Sequence, residues 1–220
     1  MAENSQSHNI DIIRTARYST LGKISENLKE IWFVCHGQGQ LAAYFIKPFE
    51  IIANESRLIV APEALSRFYL DGFGGKIGAC WMTREDRLNE IDNYVNYLDK
   101  LYDQVLSTVA NANVKVNVLG FSQGVATVCR WIGLGKAKQI EKLILWGGLT
   151  PPDLDLTATY EIFSHLKIFV VVGNQDQFAD ASVIANEEER LKSHNLPYQL
   201  ITFEGGHQLN REVIKKLAEN

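Results

Sequence analysis

Residues 114–126 read V-K-V-N-V-L-G-F-S-Q-G-V-A. Val114, Val116 and Val118 are β-branched and alternate with other side chains, the pattern of a strand. Val125, Val128, Cys129, Trp131 and Ile132 then supply the apolar positions of a helix packed on a sheet. Between them lies Gly120-Phe121-Ser122-Gln123-Gly124. A serine on so tight a strand-to-helix turn has its hydroxyl lifted clear of the backbone. Glycines two residues before and after leave room for that strained geometry. The pattern G-x-S-x-G is short, and a turn serine that only caps the next helix is the alternative. Whether Ser122 is a nucleophile therefore depends on finding a base, an acid and an anion site elsewhere.

The flanking segments alternate in type. K-E-I-W-F-V-C-H (29–36) and S-R-L-I-V-A-P (56–62) are short apolar runs bounded by polar or turn residues, as buried strands are. Residues 41–53 are helical in pattern, with Pro48 marking a kink or a break. In 84–110, Ile91, Tyr94, Val95, Leu98, Leu101, Tyr102, Val105 and Val109 recur at helical spacing. Strands are expected at 115–119, 142–146, 167–172 and 198–203, and helices at 123–134, 181–194 and 208–218. Residues 12–21 fit an antiparallel strand at the sheet edge. This alternation predicts one α/β domain over residues 1–220, a mostly parallel central sheet flanked by helices on both faces. The loops 62–83 and 147–160 are too small to form a separate lid domain.

Composition narrows the partners. A chain of 220 residues can bury a full core. The net charge of −4, with no Lys/Arg-rich face, argues against a nucleic-acid partner. No apolar run approaches the length of a membrane span, so stable membrane insertion is not expected. The first residues, M-A-E-N-S-Q-S-H-N-I-D, have no apolar core of a secretory signal. Cys35, Cys80 and Cys129 are an odd number of widely spaced cysteines in apolar stretches. Reduced, buried thiols in a cytoplasmic protein fit them better than disulfides or a zinc site. A homodimer stays open.

A serine hydroxyl needs a general base, nearly always His, held in one tautomer by an acid. Of five histidines, His8, His165 and His194 read as solvated surface groups. His207 follows the strand 198–203 through F-E-G-G-H, and its glycines let the loop turn over the end of the sheet. The acid is expected on a neighbouring loop. Asp176 stands three residues beyond its strand, after Gly173, in G-N-Q-D. Asp180 is better placed to cap the following helix, and Asp153 and Asp155 are weaker candidates. The chain order is then Ser122, Asp176, His207. H-G-Q-G-Q (36–40) follows the first strand. The backbone N–H groups of Gln38 and Gln123 are the pair assigned to stabilise an oxyanion. His36 is expected to brace that loop.

With these parts in view, the chain resembles the phospholipase/carboxylesterase family of α/β-hydrolases, which includes acyl-protein thioesterases. The resemblance rests on H-G-Q-G (36–39), A-P-E (61–63), Trp81, G-F-S-Q-G (120–124), G-N-Q-D (173–176) and G-G-H (205–207), and covers nearly the whole chain. It implies the α/β-hydrolase fold, Ser122 as nucleophile, Asp176 as acid, His207 as base, and the Gln38 and Gln123 amides as the anion site. It also implies a small-molecule ester or thioester substrate and no metal or organic cofactor. Two positions depart from the family. Gln40 stands where an acid is common, and Val125 where another glycine often follows the serine turn.

Substrate preference should lie in S-R-F-Y-L-D-G-F-G-G-K-I-G-A-C-W-M (66–82), whose glycines argue against regular structure. Phe68, Tyr69, Phe73, Trp81 and Met82 are either the wall of an acyl or alkyl pocket or core packing under a long loop. Arg67 and Asp71 would bind a polar head group or pair with each other. Trp146, with Gly147 and Gly148, would close the pocket from the other side.

Overall fold

The computed structural model describes residues 6–220; residues 1–5, where the polar N-terminal stretch and the expected 1–220 domain begin, lie outside it. Strand and helix alternate in the order β1 (Tyr18–Leu21), β2 (Glu30–Cys35), α1 (Ala42–Phe45), β3 (Arg57–Pro62), β4 (Ser66–Tyr69), β5 (Ile77–Cys80), α2 (Arg87–Ser107), β6 (Lys115–Phe121), α3 (Gln123–Leu134), β7 (Ile140–Trp146), α4 (Tyr160–Phe163), β8 (Lys167–Gly173), α5 (Ala181–Ser193), β9 (Tyr198–Phe203) and α6 (Arg211–Glu219). Among the described residues, seven strands form one sheet in the order β1-β3-β2-β6-β7-β8-β9. Only β1 runs antiparallel in it.

Side chains of successive strand residues point to opposite faces, and both faces are covered. Ile31, Phe33, Val116, Val118, Leu143 and Leu145 face a core shared with α2, α3 and α5. Trp32, Val34, Leu119, Phe121, Ile144 and Trp146 face the other, shared with α1 and α6. This two-sided burial explains why the central strands read as continuous apolar runs. It is the α/β-hydrolase arrangement. Among the described residues no helix is long and apolar enough to cross a membrane. The three cysteines are free and buried.

The strand order also says where a site should form. From β2 the chain moves outward to β3, then returns to the opposite side of β2 as β6. The crevice beyond the carboxyl ends of β2 and β6 is therefore the topological switch point. The loops leaving it are 36–41 and the turn at Ser122.

The break expected at Pro48 is present: α1 is one turn, and a 3-10 turn, Lys47–Ile51, follows with Pro48 near its start, while two other expectations change. Proline has no N–H to continue the α-helical ladder. The edge strand covers only Tyr18–Leu21 of the expected 12–21. Upstream of it, Ile10, Ile12 and Ile13 are exposed, and the Arg14 and Arg17 side chains bond to Leu65 O and the Glu63 carboxylate. The stretch 66–82 is not irregular: β4 and β5 form an antiparallel hairpin pairing Phe68 with Gly78 and Tyr69 with Ile77. Two of its glycines, Gly72 and Gly74, take positive φ at the tip, so they make the turn rather than break the strands.

Candidate active site

Ser122 sits between β6 and α3 at φ 54° and ψ −120°. A non-glycine residue there costs roughly 1–3 kcal/mol and persists only where its surroundings hold it. They do so tightly. Ser122 N–H donates to Trp146 O at 2.8 Å, and Ser122 O accepts from Val125 N–H at 2.9 Å. A Cβ on Gly124 would lie 2.2 Å from Cys35 O, so α3 begins hard against the end of β2. The turn thus has the geometry that exposes a hydroxyl.

Asp176 and His207 leave the ends of β8 and β9 and meet, with Asp176 Oδ2 2.8 Å from His207 Nδ1. The Asp176 side chain is 2% exposed. Its Oδ1 accepts from Phe178 N–H at 2.9 Å and Ala179 N–H at 3.2 Å. A carboxylate held by these donors turns an acceptor towards the ring. The proton of a neutral imidazole therefore sits on Nδ1, and the Nε2 lone pair stays free. The ring lies 4.8 Å from both Phe121 and Phe178. Gly147, at φ 59°, leaves space for the pair, since its Cβ would lie 3.1 Å from His207 Nδ1 and 3.2 Å from Asp176 Oδ2. Asn210, not His207, caps α6, and Asp180 caps α5. Among the described residues no hydrogen bond joins Ser122 Oγ to the imidazole. Such contacts commonly tighten only when substrate is seated.

Beside the serine turn, the loop after β2 uses most of its own amides. Gly37 N–H donates to Gln40 Oε1 at 2.8 Å, Gly39 N–H to Ala79 O at 2.8 Å, and Gln40 N–H to Gly37 O at 3.3 Å. Gln38 N–H alone in 37–40 has no acceptor among the described residues. Gln123 N–H opens α3, where the first amides have no intrahelical partner and the helix dipole favours negative charge. His36 is fully buried. Its Nδ1 is 2.7 Å from Gly37 O, and its Nε2 accepts from Ala64 N–H at 3.1 Å. Burial pushes its pKa down, so it is a neutral brace for this loop.

The side chains expected to wall the pocket are placed otherwise. A cavity of about 880 Å³ is lined by the apolar Phe121, Leu41, Phe45, Pro48, Leu70, Ile77 and Leu209, with His207, Tyr44, Gln40, Lys76 and Gln208 as side chains that carry polar groups. None of Phe68, Tyr69, Phe73, Trp81, Met82 and Trp146 lines it. The hairpin does contribute, but through Leu70 and Ile77. Phe68 and Tyr69 point to opposite faces of the two-stranded hairpin, and both are exposed, as is Phe73 at the turn. Trp81 is buried against His36 and Tyr94 and donates its Nε1–H to His36 O at 2.8 Å. Gln123 ties this stretch to the serine turn, accepting from Trp81 N–H at 3.0 Å and donating to Met82 O at 2.9 Å. Trp146 is also buried, and its Nε1–H donates to Gln208 O at 3.0 Å, bracing the loop that carries His207. Arg67 pairs with Glu63 rather than Asp71.

Behind the turn, Arg130 of α3 donates to both oxygens of Asp153, at 3.0 and 2.6 Å, and Arg87 joins at 2.7 Å. The Arg130 hydrogen bonds, foremost, hold the Asp153 carboxyl at about 2. Asp155 instead accepts from Thr157 and Ala158 N–H. Because Asp153 ionises more readily folded than unfolded, its stabilisation is full above the ordinary aspartate range. It is lost as pH falls from about 4 towards 2. Asp153→Asn should cost about 1–2 kcal/mol at neutral pH, a figure reduced because the group is one-third exposed. Urea melts of variant and wild type should converge in acid; a gap independent of pH would contradict this.

Comparison with known proteins shows the family and the fold. The serine hydrolase (FSH1) family model matches residues 35–212, and the chain belongs to that family. The protein is a serine hydrolase. Its fold is similar to that of acyl-protein thioesterase 2 from Zea mays, with 18% identity, a TM-score of 0.70, and 93% of this chain and 97% of that one covered. A second similar structure is esterase PE8, with 19% identity, a TM-score of 0.70, and coverage of 94% and 97%. A phospholipase/carboxylesterase from Dyadobacter fermentans aligns at 17% identity and TM-score 0.68, covering 96% and 98%. No curated protein sequence matches the chain.

Proposed function

We propose that this chain is a single-domain serine esterase that hydrolyses carboxylic esters of small to medium acyl or alkyl groups through an acyl-enzyme, without a metal or organic cofactor. The observation that carries the reading is the strained backbone of Ser122, φ 54° and ψ −120°, at the start of α3. A residue whose only task is to cap a helix has no need of that conformation.

In this reading His207 Nε2 takes the proton from Ser122 Oγ as the oxygen attacks the acyl carbonyl. The Gln38 and Gln123 amides receive the developing oxyanion, each contributing roughly 3 kcal/mol. His207 returns the proton to the leaving alcohol or thiol. It then takes a proton from the water that attacks the acyl carbonyl and hands it to Ser122 Oγ as the acyl–oxygen bond breaks and the acid leaves. Asp176 stays ionised, holding the ring and stabilising its cationic form.

A second reading, a lysophospholipase or acyl-protein thioesterase, is favoured by one observation. The cavity of about 880 Å³ lies in the upper part of the usual range for small-molecule sites, and its walls are mainly apolar. The likeness to Zea mays acyl-protein thioesterase 2 is consistent with it. A panel of p-nitrophenyl esters of increasing chain length separates the two. kcat/KM should peak at short or medium chains for the first reading; a monotonic rise into long chains would replace it with the second.

A further inference from the structure

The cavity beside His207 has an uneven chemistry. Its side walls are apolar, from Leu41 and Phe45 at the two ends of α1 and Leu70 and Ile77 on the hairpin. Among the described residues no Asp or Glu belongs to its lining, and Lys76 is the one lysine or arginine there. Lys76 lies between the hairpin tip and β5, where its backbone O accepts from Leu70 N–H at 2.7 Å. It is in no ion pair among the described residues, whereas Arg67 of the same hairpin is committed to Glu63. A purely hydrocarbon ester would gain nothing from an ammonium group in its binding wall. An amphiphile would.

We infer that the site takes an amphiphilic ester whose apolar chain lies in the cavity against Leu41, Phe45 and Ile77, while an anionic group, a carboxylate or a phosphate, pairs with Lys76. This rests on the serine esterase reading and deepens it by adding charge to the substrate class. The pair would form at the cavity mouth, where solvent weakens it. Its effect is therefore that of one exposed ion pair, about three- to fivefold in kcat/KM. It should weaken further at high ionic strength, because the Debye length shrinks from about 30 Å at 0.01 M to about 3 Å at 1 M.

The test compares p-nitrophenyl half-esters of straight-chain dicarboxylic acids with p-nitrophenyl esters of monocarboxylic acids of equal carbon count. The readout is the ratio of kcat/KM for anionic over neutral substrate. Lys76→Ala should lower that ratio about three- to fivefold, Lys76→Glu should lower it further, and Lys76→Arg should keep it. Salt should reduce the wild-type ratio and leave that of Lys76→Ala nearly constant. Equal ratios in all four proteins would overturn the inference while leaving the esterase intact. Hydrolysis of neither ester, together with no fluorophosphonate adduct, would instead overturn the esterase reading beneath it.

Discussion

Asp176→Asn is expected to lower kcat about 10⁴-fold while leaving the fold in place. The amide oxygen of Asn can still accept from Phe178 and Ala179 N–H, as Asp176 Oδ1 does, so the loop after β8 keeps its shape. The amide nitrogen, however, would face His207 Nδ1 as a donor. The imidazole would answer by moving its proton to Nε2, the atom that must accept the serine proton. The loss is thus one of tautomer and charge, and losses of this size are usual when a triad carboxylate is made neutral. Steady-state kinetics with circular dichroism distinguishes it from unfolding. A variant within tenfold of wild type would mean that Asp176 does not hold the base.

Ser122→Ala should cost more, about 10⁵- to 10⁶-fold in kcat, with substrate still binding. Removing the hydroxyl leaves the Gln38 and Gln123 amides and the cavity intact, so residual rate would come from those alone. The variant should keep the strained turn, because alanine has the same Cβ at φ 54° and the serine side chain makes no capping hydrogen bond. Its melting temperature should stay close to that of wild type.

Legibility in the sequence followed the physics of each segment. Buried parallel strands are short apolar runs, so β2, β3 and β6 to β9 were readable to within a few residues. Ser122, Asp176 and His207 could be singled out because each follows such a strand after glycine, where an α/β sheet gathers its functional loops. The β4–β5 hairpin was hidden because its glycines, read as breakers, belong to the tip and to one face of a strand. Size and apolarity do not tell which way a ring points, so the sequence leaves Trp81 open between pocket wall and core and places Trp146 at the pocket; both are buried. In the fold both donate an indole N–H to a loop carbonyl, at His36 and Gln208, so they position the loops of the site from behind. Phe178, stacked edge-on to His207, carried no periodic signal. Its place follows only from the turn that Asp176 makes with its own following amides.

The most direct test is to react the protein with a fluorophosphonate and map the adduct by mass spectrometry of the digested chain. A single adduct on Ser122, formed at a rate that His207→Ala reduces by at least about a hundredfold, is the expected result. An adduct on another residue, or one on Ser122 whose rate is indifferent to His207→Ala, would contradict the account.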